Sequence, residues 1–488
     1  MAIAQGTCPS CGAPIEFGLG SSMAKVCGAC QATVVRTDRG LQDFGKVAAL
    51  ADTPSLIAVG DQGKLGQRHF EVLGRVQLDY GLGPWDEYYV AFDYGKEWGW
   101  LAYAQGRWYL TFLLPNVAAP PRESIRVDED FWLPQGKFTT AEARNATVLS
   151  AEGELPEPIT PGHLRVYADA YGRDNAFATL DYGDGSEPSA VYVGKLLADS
   201  QLTIVTPGPR TLRKVKTTQL QCPNCGGDVP KLHGDRSERL GCPYCGAVSD
   251  IATRTVVAQQ EQLLQAPDIP VGTQGTFESQ PYLCLAYLRR STQSEGERYV
   301  WEEYLLFNAD EGYRWLVKDP ETGWSWVSFV NPADIDRSAL PDALRYSGST
   351  YELTNRSLAR VDYVLGEIYW KCSIGETVSV TDFVASNRSL SRELDSNEVN
   401  YSYGSRIAWR QIAGAFQLPG DSPGGKGIAP AGAASGCTTI IGVVVLVVIL
   451  IIVLAVAASS SGWSSGGGGV FIGGGSSYRG GGSYSGGK

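Results

Sequence analysis

Eight of the eleven cysteines in this 488-residue chain fall in four Cys-x-x-Cys pairs: Cys8 with Cys11, Cys27 with Cys30, Cys222 with Cys225, and Cys242 with Cys245. Fifteen residues separate the first two pairs and sixteen the last two. Two short turns at that spacing can bring four thiolates around one tetrahedral Zn²⁺ at ~2.3 Å. The pattern therefore predicts two zinc ribbons. Gly12, Gly226 and Gly246 follow the second cysteine of their turns, where a residue free to take positive φ lets backbone amides point at sulfur. Cys27-Gly28-Ala29-Cys30 lacks both the proline and the trailing glycine, so the first ribbon is expected to hold metal less well. Four thiolates close the coordination shell and leave no position for water, which makes both ions structural rather than catalytic. A thioredoxin-like redox site would need one such pair at a helix start, not four paired turns. His233 lies between the turns of the second ribbon and could substitute as a ligand, but four cysteines suffice.

Other reactive patterns are weaker. Trp85-Asp86-Glu87-Tyr88 and Trp301-Glu302-Glu303-Tyr304 each carry two adjacent acids. Neighbours on a strand face opposite ways, so neither pair forms a dyad without a partner from elsewhere. Core aromatics with an outward acid are expected, and an aromatic groove for an extended peptide or a cationic ligand is the alternative. The only histidines are His69, His163 and His233, and none recurs at an equivalent place in the repeat described below, which argues against a histidine base. Cys284 and Cys372 read as buried thiols rather than nucleophiles. The chain has no nucleophile elbow, phosphate loop or dinucleotide fingerprint, so no catalytic residue is assigned.

The elements that must position the cysteines are duplicated. Cys8-Pro9-Ser10-Cys11-Gly12 recurs 214 positions on as Cys222-Pro223-Asn224-Cys225-Gly226, and Cys27 recurs 215 on as Cys242. The same offset carries Trp85 to Trp301 within one residue, and Gly153-Glu154-Leu155, Gly162 and Asp169 fall 213 positions before Gly366-Glu367-Ile368, Gly375 and Asp382. Between these landmarks run short β-branched and aromatic stretches such as His69 to Val76 and Trp108 to Leu114, punctuated by Gly and Pro, the signature of antiparallel strands. Asp181-Tyr182-Gly183-Asp184-Gly185 suits a tight hairpin turn. The expected fold is mainly β: ribbon one (1–40), an aromatic-rich β domain (55–206), ribbon two (216–256) and a second β domain (269–418). Linkers are expected at 37–54, 207–221 and 256–270, the last with a short helix through Ala258 to Leu264.

A linker (419–436) then leads to Cys437 to Ala458, 22 residues without a charge, long enough as a helix to cross a ~30 Å hydrocarbon core. A transmembrane helix is expected there, with a disordered Gly/Ser-rich tail at 459–488. The N-terminus lacks the basic start and apolar stretch of a secretory signal, and the ribbons need reduced thiolates. The bulk of the chain is therefore expected in the cytoplasm and the tail outside. Net charge −11 disfavours a general nucleic-acid or anionic-lipid binder. Only Thr211 to Arg254 is locally basic, by three charges, leaving room for a phosphate contact by ribbon two.

His69-Phe70-Glu71-Val72-Leu73-Gly74-Arg75, with Trp85 to Tyr89 and Trp98-Gly99-Trp100-Leu101, resembles a bacterial family catalogued as domain of unknown function 4178. The second copy resembles it through Trp301 to Tyr304, Gly366-Glu367-Ile368-Tyr369-Trp370 and Leu390 to Leu394. The resemblance covers most of 55–415 and implies an inner-membrane-associated protein, encoded near polyamine-synthesis-like and envelope-stress genes, with no established reaction. It supplies no catalytic residues. The first copy has Pro156-Glu157 where the second has Tyr369-Trp370, so a site built on those aromatics is expected only in the second copy. The leading expectation is a membrane-anchored cytoplasmic adaptor binding a protein partner. An enzyme or enzyme subunit acting on a polyamine-like or peptide substrate, and nucleic-acid binding through ribbon two, are the alternatives. The enzyme reading requires paired carboxylates with raised pKa converging in one β body.

Overall fold

The computed structural model describes residues 4–420 without 18–21, 38–39, 47–56, 81–83, 105–106, 186–188, 199–200, 206–218, 233–236, 252, 262, 264–265 and 295–296. The expected transmembrane helix, the tail and His233 lie outside the described residues. Among the described residues no helix is long and apolar enough to cross a membrane.

Ribbon one comprises β1 (Ala4–Thr7), β2 (Pro14–Phe17), β3 (Ala24–Val26), β4 (Ala32–Thr37) and β5 (Gly40–Lys46). The first β body follows with β6 (Gln62–Leu65), β7 (Arg68–Asp79), β8 (Pro84–Phe92), β9 (Glu97–Ala104), β10 (Arg107–Leu113), β11 (Asp130–Leu133), β12 (Gly136–Leu155), β13 (Leu164–Gly172), β14 (Ala176–Asp181), β15 (Ala190–Leu197) and β16 (Leu202–Val205). Ribbon two is β17 (Gln219–Gln221), β18 (Asp228–Pro230), β19 (Arg239–Gly241), β20 (Ala247–Asp250) and β21 (Thr255–Gln259). The second body has β22 (Gln274–Phe277), β23 (Gln280–Ser294), β24 (Glu297–Asn308), β25 (Gly312–Asp319), β26 (Gly323–Val330), β27 (Ala343–Tyr346), β28 (Ser349–Ile368), β29 (Thr377–Ala385), β30 (Arg388–Leu394), β31 (Val399–Arg406) and α1 (Trp409–Phe416).

Each body is a closed barrel of eight antiparallel strands. In the first, pairing runs β7-β8-β9-β10-β15-β14-β13-β12 and returns from β12 to β7. In the second it runs β23-β24-β25-β26-β31-β30-β29-β28 and returns to β23. Closure leaves no free edge in the ring. Strand β8 is covered on both faces, which explains the aromatic and apolar run Tyr88 to Phe92. Tyr89, Trp85 and Trp100 pack on the inner face, while Tyr88, Val90 and Phe92 pack outward under β6 and β16 with Leu202 and Ile204.

Two elements differ from the expectation. Ala258 lies on β21, paired to β20, because Thr255-Val256-Val257 is β-branched and finds a strand edge to extend; it does not start a helix. Helix α1 was not anticipated. Its buried residues Trp409, Ile412, Ala413 and Phe416 have an i, i+3, i+4, i+7 spacing and cover the outer face of the second barrel, with Trp409 against Trp324 and Phe416 against Phe277.

The ribbons are not beads on linkers. β12 continues beyond the barrel seam, where Glu154 and Leu155 pair with Lys25 and Ala24 of β3. β28 does the same, pairing Ile368, Glu367 and Gly366 with Arg239, Leu240 and Gly241 of β19. Each ribbon thus extends its own barrel's sheet at an equivalent register. Gly153 (φ +76) and Gly366 (φ +87) sit where the long strand leaves the seam, and an added Cβ would lie 2.2 Å from the Leu73 carbonyl oxygen or 2.3 Å from that of Leu285.

The two barrels also pack on each other, using non-equivalent strands: the Ala143 amide of β12 donates to the Asn397 carbonyl before β31. Asp128, 8 % exposed, accepts Arg392 and the Tyr401 hydroxyl. Arg144 bridges Glu142 and Glu398 at 2.7 Å each, and the Tyr167 hydroxyl donates to Glu142. Burial, reinforced by Glu398 and opposed by Arg144, pushes the Glu142 carboxyl up to about 8.

Two outcomes follow. Gly366→Ala combines a forbidden φ with a backbone collision and should cost ~2–4 kcal/mol, read as a drop in the denaturant midpoint. Glu142 binds its proton more tightly folded than unfolded, so its contribution is full below pH 4.5 and is lost as pH rises to about 8. Glu142→Gln should therefore flatten the decline of stability across that window; an unchanged pH profile would refute the assignment.

Candidate metal centres and barrel interiors

Cys8, Cys11, Cys27 and Cys30 converge with all four sulfurs within 4.8 Å of one another, and so do Cys222, Cys225, Cys242 and Cys245. The Sγ pairs Cys8–Cys30 and Cys11–Cys27 lie 3.7 and 3.8 Å apart, and Cys222–Cys245 and Cys225–Cys242 lie 3.7 and 3.9 Å apart. Four sulfurs at ~2.3 Å from a tetrahedral centre must be about 3.8 Å apart, so each cluster is dimensioned for one ion. Residues that could hold a metal are therefore the eight paired cysteines.

Each knuckle closes the same way. The residue after the second cysteine returns its amide to the first cysteine's carbonyl: Gly12 to Cys8, Gln31 to Cys27, Gly226 to Cys222 and Gly246 to Cys242. All four take positive φ: 75°, 59°, 71° and 69°. Gln31 thus adopts a left-handed conformation that its Cβ disfavours. In ribbon two, Asn224 donates to the Cys245 sulfur at 3.4 Å, and this contact with the Ala247 amide lowers the thiol to about 6. The Ala32 amide lowers Cys30 to about 7. These donors favour thiolate at Cys30 and Cys245, whereas burial pushes Cys242 of the second cluster up to about 12.

The ribbons are locked to the barrels by buried polar groups. Glu154 accepts Lys25 at 3.1 Å, and its equivalent Glu367 accepts Ser237 at 2.6 Å. Lys371 bridges Asp250 and Glu238, and Arg239, 6 % exposed, pairs with the same Asp250. Arg239, counted in the sequence as part of a basic stretch, therefore faces inward.

The Trp-acid-Glu-Tyr motif divides between faces. Asp86 and Glu302 point outward, to Arg75 and Lys318. Glu87 and Glu303 point into the barrels, contrary to the expectation of an outward acid. In the second barrel Glu303, 6 % exposed, meets a second carboxylate from across the ring: Arg290 lies 3.4 Å from Glu303 and 2.7 Å from Glu393. Trp301 donates its indole N–H to Glu303 at 2.7 Å. Burial raises the Glu303 pKa, with Arg290 opposing. In the first barrel Glu87 and Asp181 share a cavity of about 80 Å³ with Trp85, Trp100, Tyr167 and Arg165. Arg165 pairs with Asp181 at 2.8 Å. Asp181, read from sequence as a turn residue, does serve the turn by accepting the Gly183 amide, but also faces Arg165.

Inside both barrels a hydroxyl holds an equivalent aspartate: Thr179 donates to Asp169 and Ser391 to Asp382. Tyr369 stacks on Tyr313 at 3.8 Å and Trp370 packs edge-on against Trp315 at 5.6 Å. Tyr313, Trp315 and Tyr369 line a cavity of about 40 Å³ at one end of the second barrel, with Glu393 and with Arg107 from the first barrel. Cys284 and Cys372 are fully buried, and burial raises both thiols, Cys284 to about 12. His69 stacks on Tyr94 and His163 meets Asp184, both away from the sulfur clusters.

The two barrels coincide with the two matches to the model of a domain of unknown function (DUF4178), at residues 58–198 and 270–408. The chain belongs to this family. No curated protein and no solved structure matches it. A DUF4178 domain in this chain is thus an eight-stranded barrel, preceded by a four-cysteine ribbon that joins its sheet.

Gln31→Gly should relieve the strained knuckle and strengthen metal retention by ribbon one by ~1 kcal/mol, about five-fold. Chelator competition monitored by metal release would show it as a slower or later first transition.

Proposed function

We propose that this DUF4178 protein is a membrane-tethered scaffold in which two structural Zn²⁺ ions brace a rigid double barrel that docks a protein partner. The observation that carries the reading is the continuity of each ribbon with its barrel sheet through β12 and β28. A closed four-thiolate shell offers zinc no open position for chemistry. Metal binding, worth ~10 kcal/mol or more in such modules, instead fixes the shape of the sheet it joins. The uncharged segment Cys437 to Ala458 supplies the anchor, with the barrels on the cytoplasmic side where thiolates stay reduced.

The docking edge we assign is β21. It ends the path of the second sheet, and Val256 and Val257 on it and Tyr244 in the adjacent knuckle are 41, 44 and 55 % exposed. An exposed edge strand with apolar side chains accepts an extended segment by strand addition. Ribbon two has less cationic charge to offer a nucleic acid than its sequence suggests, since Arg239 is engaged in a buried ion pair with Asp250.

Crosslinking and affinity capture of the full chain from native membranes tests this. A stoichiometric partner should be recovered with the intact protein, and should be lost both with Cys222→Ser/Cys225→Ser and with Val256→Asp/Val257→Asp, the latter retaining two metal ions per chain. Absence of any partner above background in all forms would refute the scaffold reading.

A further inference from the structure

The duplication provides an internal comparison of two barrels, and it singles out one position. β7 pairs with β8 so that Leu78 faces Trp85 and Val76 faces Glu87. β23 pairs with β24 so that Arg290 faces Trp301 and Leu288 faces Glu303. On the closing seam, Leu78 meets Val148 and Arg290 meets Val361. Leu78 and Arg290 are therefore equivalent by both neighbours. Across the ring, Tyr167 pairs with Asp181 two residues beyond the Asp169–Thr179 pair, and Val380 pairs with Glu393 two residues beyond Asp382–Ser391. Asp181 and Glu393 are equivalent too.

Both barrels thus carry an equivalent inward Trp, an equivalent inward Glu and an equivalent acid from the opposite wall. In the second barrel the chain fills the space between them with its own cation: the Arg290 guanidinium contacts both carboxylates and lies 5.8 Å from the Trp301 ring centroid. In the first barrel an aliphatic leucine stands at that position, and Leu78, Trp85, Glu87 and Asp181 all line a cavity of about 80 Å³, whereas Arg290, Trp301 and Glu303 are not among the residues lining the cavity of about 40 Å³ in the second barrel. At the same end Glu157 and Ile159 border the cavity, in the places of Trp370 and Cys372. Three carboxylates, Glu87, Glu157 and Asp181, surround it against one cation, Arg165. The Trp85 indole N–H is buried without a hydrogen-bond partner, as are those of Trp98, Trp370 and Trp409, whereas its counterpart Trp301 donates to Glu303. A buried donor without an acceptor is uncommon in a folded protein.

We infer that the cavity of the first barrel is a binding site for a small guanidinium-type cation, which takes the place that Arg290 occupies in the second barrel. The ligand sits over Trp85, as a cation over an indole face, and forms charge-assisted hydrogen bonds to Glu87 and Asp181. The paired carboxylates that would have supported an enzyme here act as a receptor for charge. The second barrel, already occupied by its own arginine, serves as the fixed half of the pair.

Calorimetric titration of the purified full chain in detergent, with methylguanidinium as the probe and N-methylurea as its neutral counterpart, tests the assignment. One methylguanidinium per chain should bind and N-methylurea should not. Leu78→Arg supplies the internal cation and should abolish binding while both metal ions are retained. If that variant misfolds, Glu87→Gln should weaken binding about tenfold or more and Glu303→Gln, in the other barrel, should leave it unchanged. No heat with methylguanidinium, equal binding of N-methylurea, or binding that survives Glu87→Gln would each overturn the proposal.

Discussion

The structure depends on one long strand in each copy, β12 and β28, twenty residues apiece. Its first half pairs with the next strand of the barrel wall, its second half closes the ring against β7 or β23, and its last residues enter the ribbon. A strand can change partners in this way only where the backbone bends, and the glycines Gly153 and Gly366 allow the bend at van der Waals closeness to the opposite strand. Barrel closure and ribbon attachment are therefore one event. A metal ion that orders the ribbon also holds the end of the strand that closes the barrel, which couples the thiolate chemistry to the fold of a domain some 140 residues long.

An ion held by either sulfur cluster would act through the same coupling. Closed tetrahedral sites bring stability at small size, because a ribbon of about forty residues buries too little apolar surface to fold alone. Here the ribbons gain a second support from sheet continuity and from the buried contacts of Glu154 and Glu367. The barrels in turn are held to each other by buried ionisable groups. Asp128 with Arg392, and Glu142 and Glu398 on Arg144, fix the relative placement of the copies through groups that are costly to separate once desolvated.

Duplication followed by divergence is visible in the barrel interiors. Both retain a Trp-x-Glu strand and an opposing acid, but Arg290 from β23 pairs with both acids of the second barrel, whereas Arg165 from β13 pairs with the opposing acid Asp181 and with Glu157 in the first. Tyr369 and Trp370 stand at the end of the second barrel that Glu157 borders in the first. Both copies keep a lined cavity, but only that of the first reaches the Trp-x-Glu strand.

The sequence by itself determined which cysteines group together, because thiolate spacing in a short turn is a local property, and it determined the duplication and the mainly β character, because alternation and turn residues are local too. Helix α1 was written in the spacing of Trp409, Ile412, Ala413 and Phe416, but eight residues are a short signal within a β-rich region. Only the tertiary structure decided that the ribbons join the barrel sheets, that the rings close, and that the barrels meet through non-equivalent strands. It also decided which of two adjacent acids faces inward. A strand's alternation says that Asp86 and Glu87 point oppositely; it cannot say which side is the interior until the ring is closed. Asp181 and Glu393 lie on strands about ninety residues from the motif acids they face, so only closure of the ring could pair them.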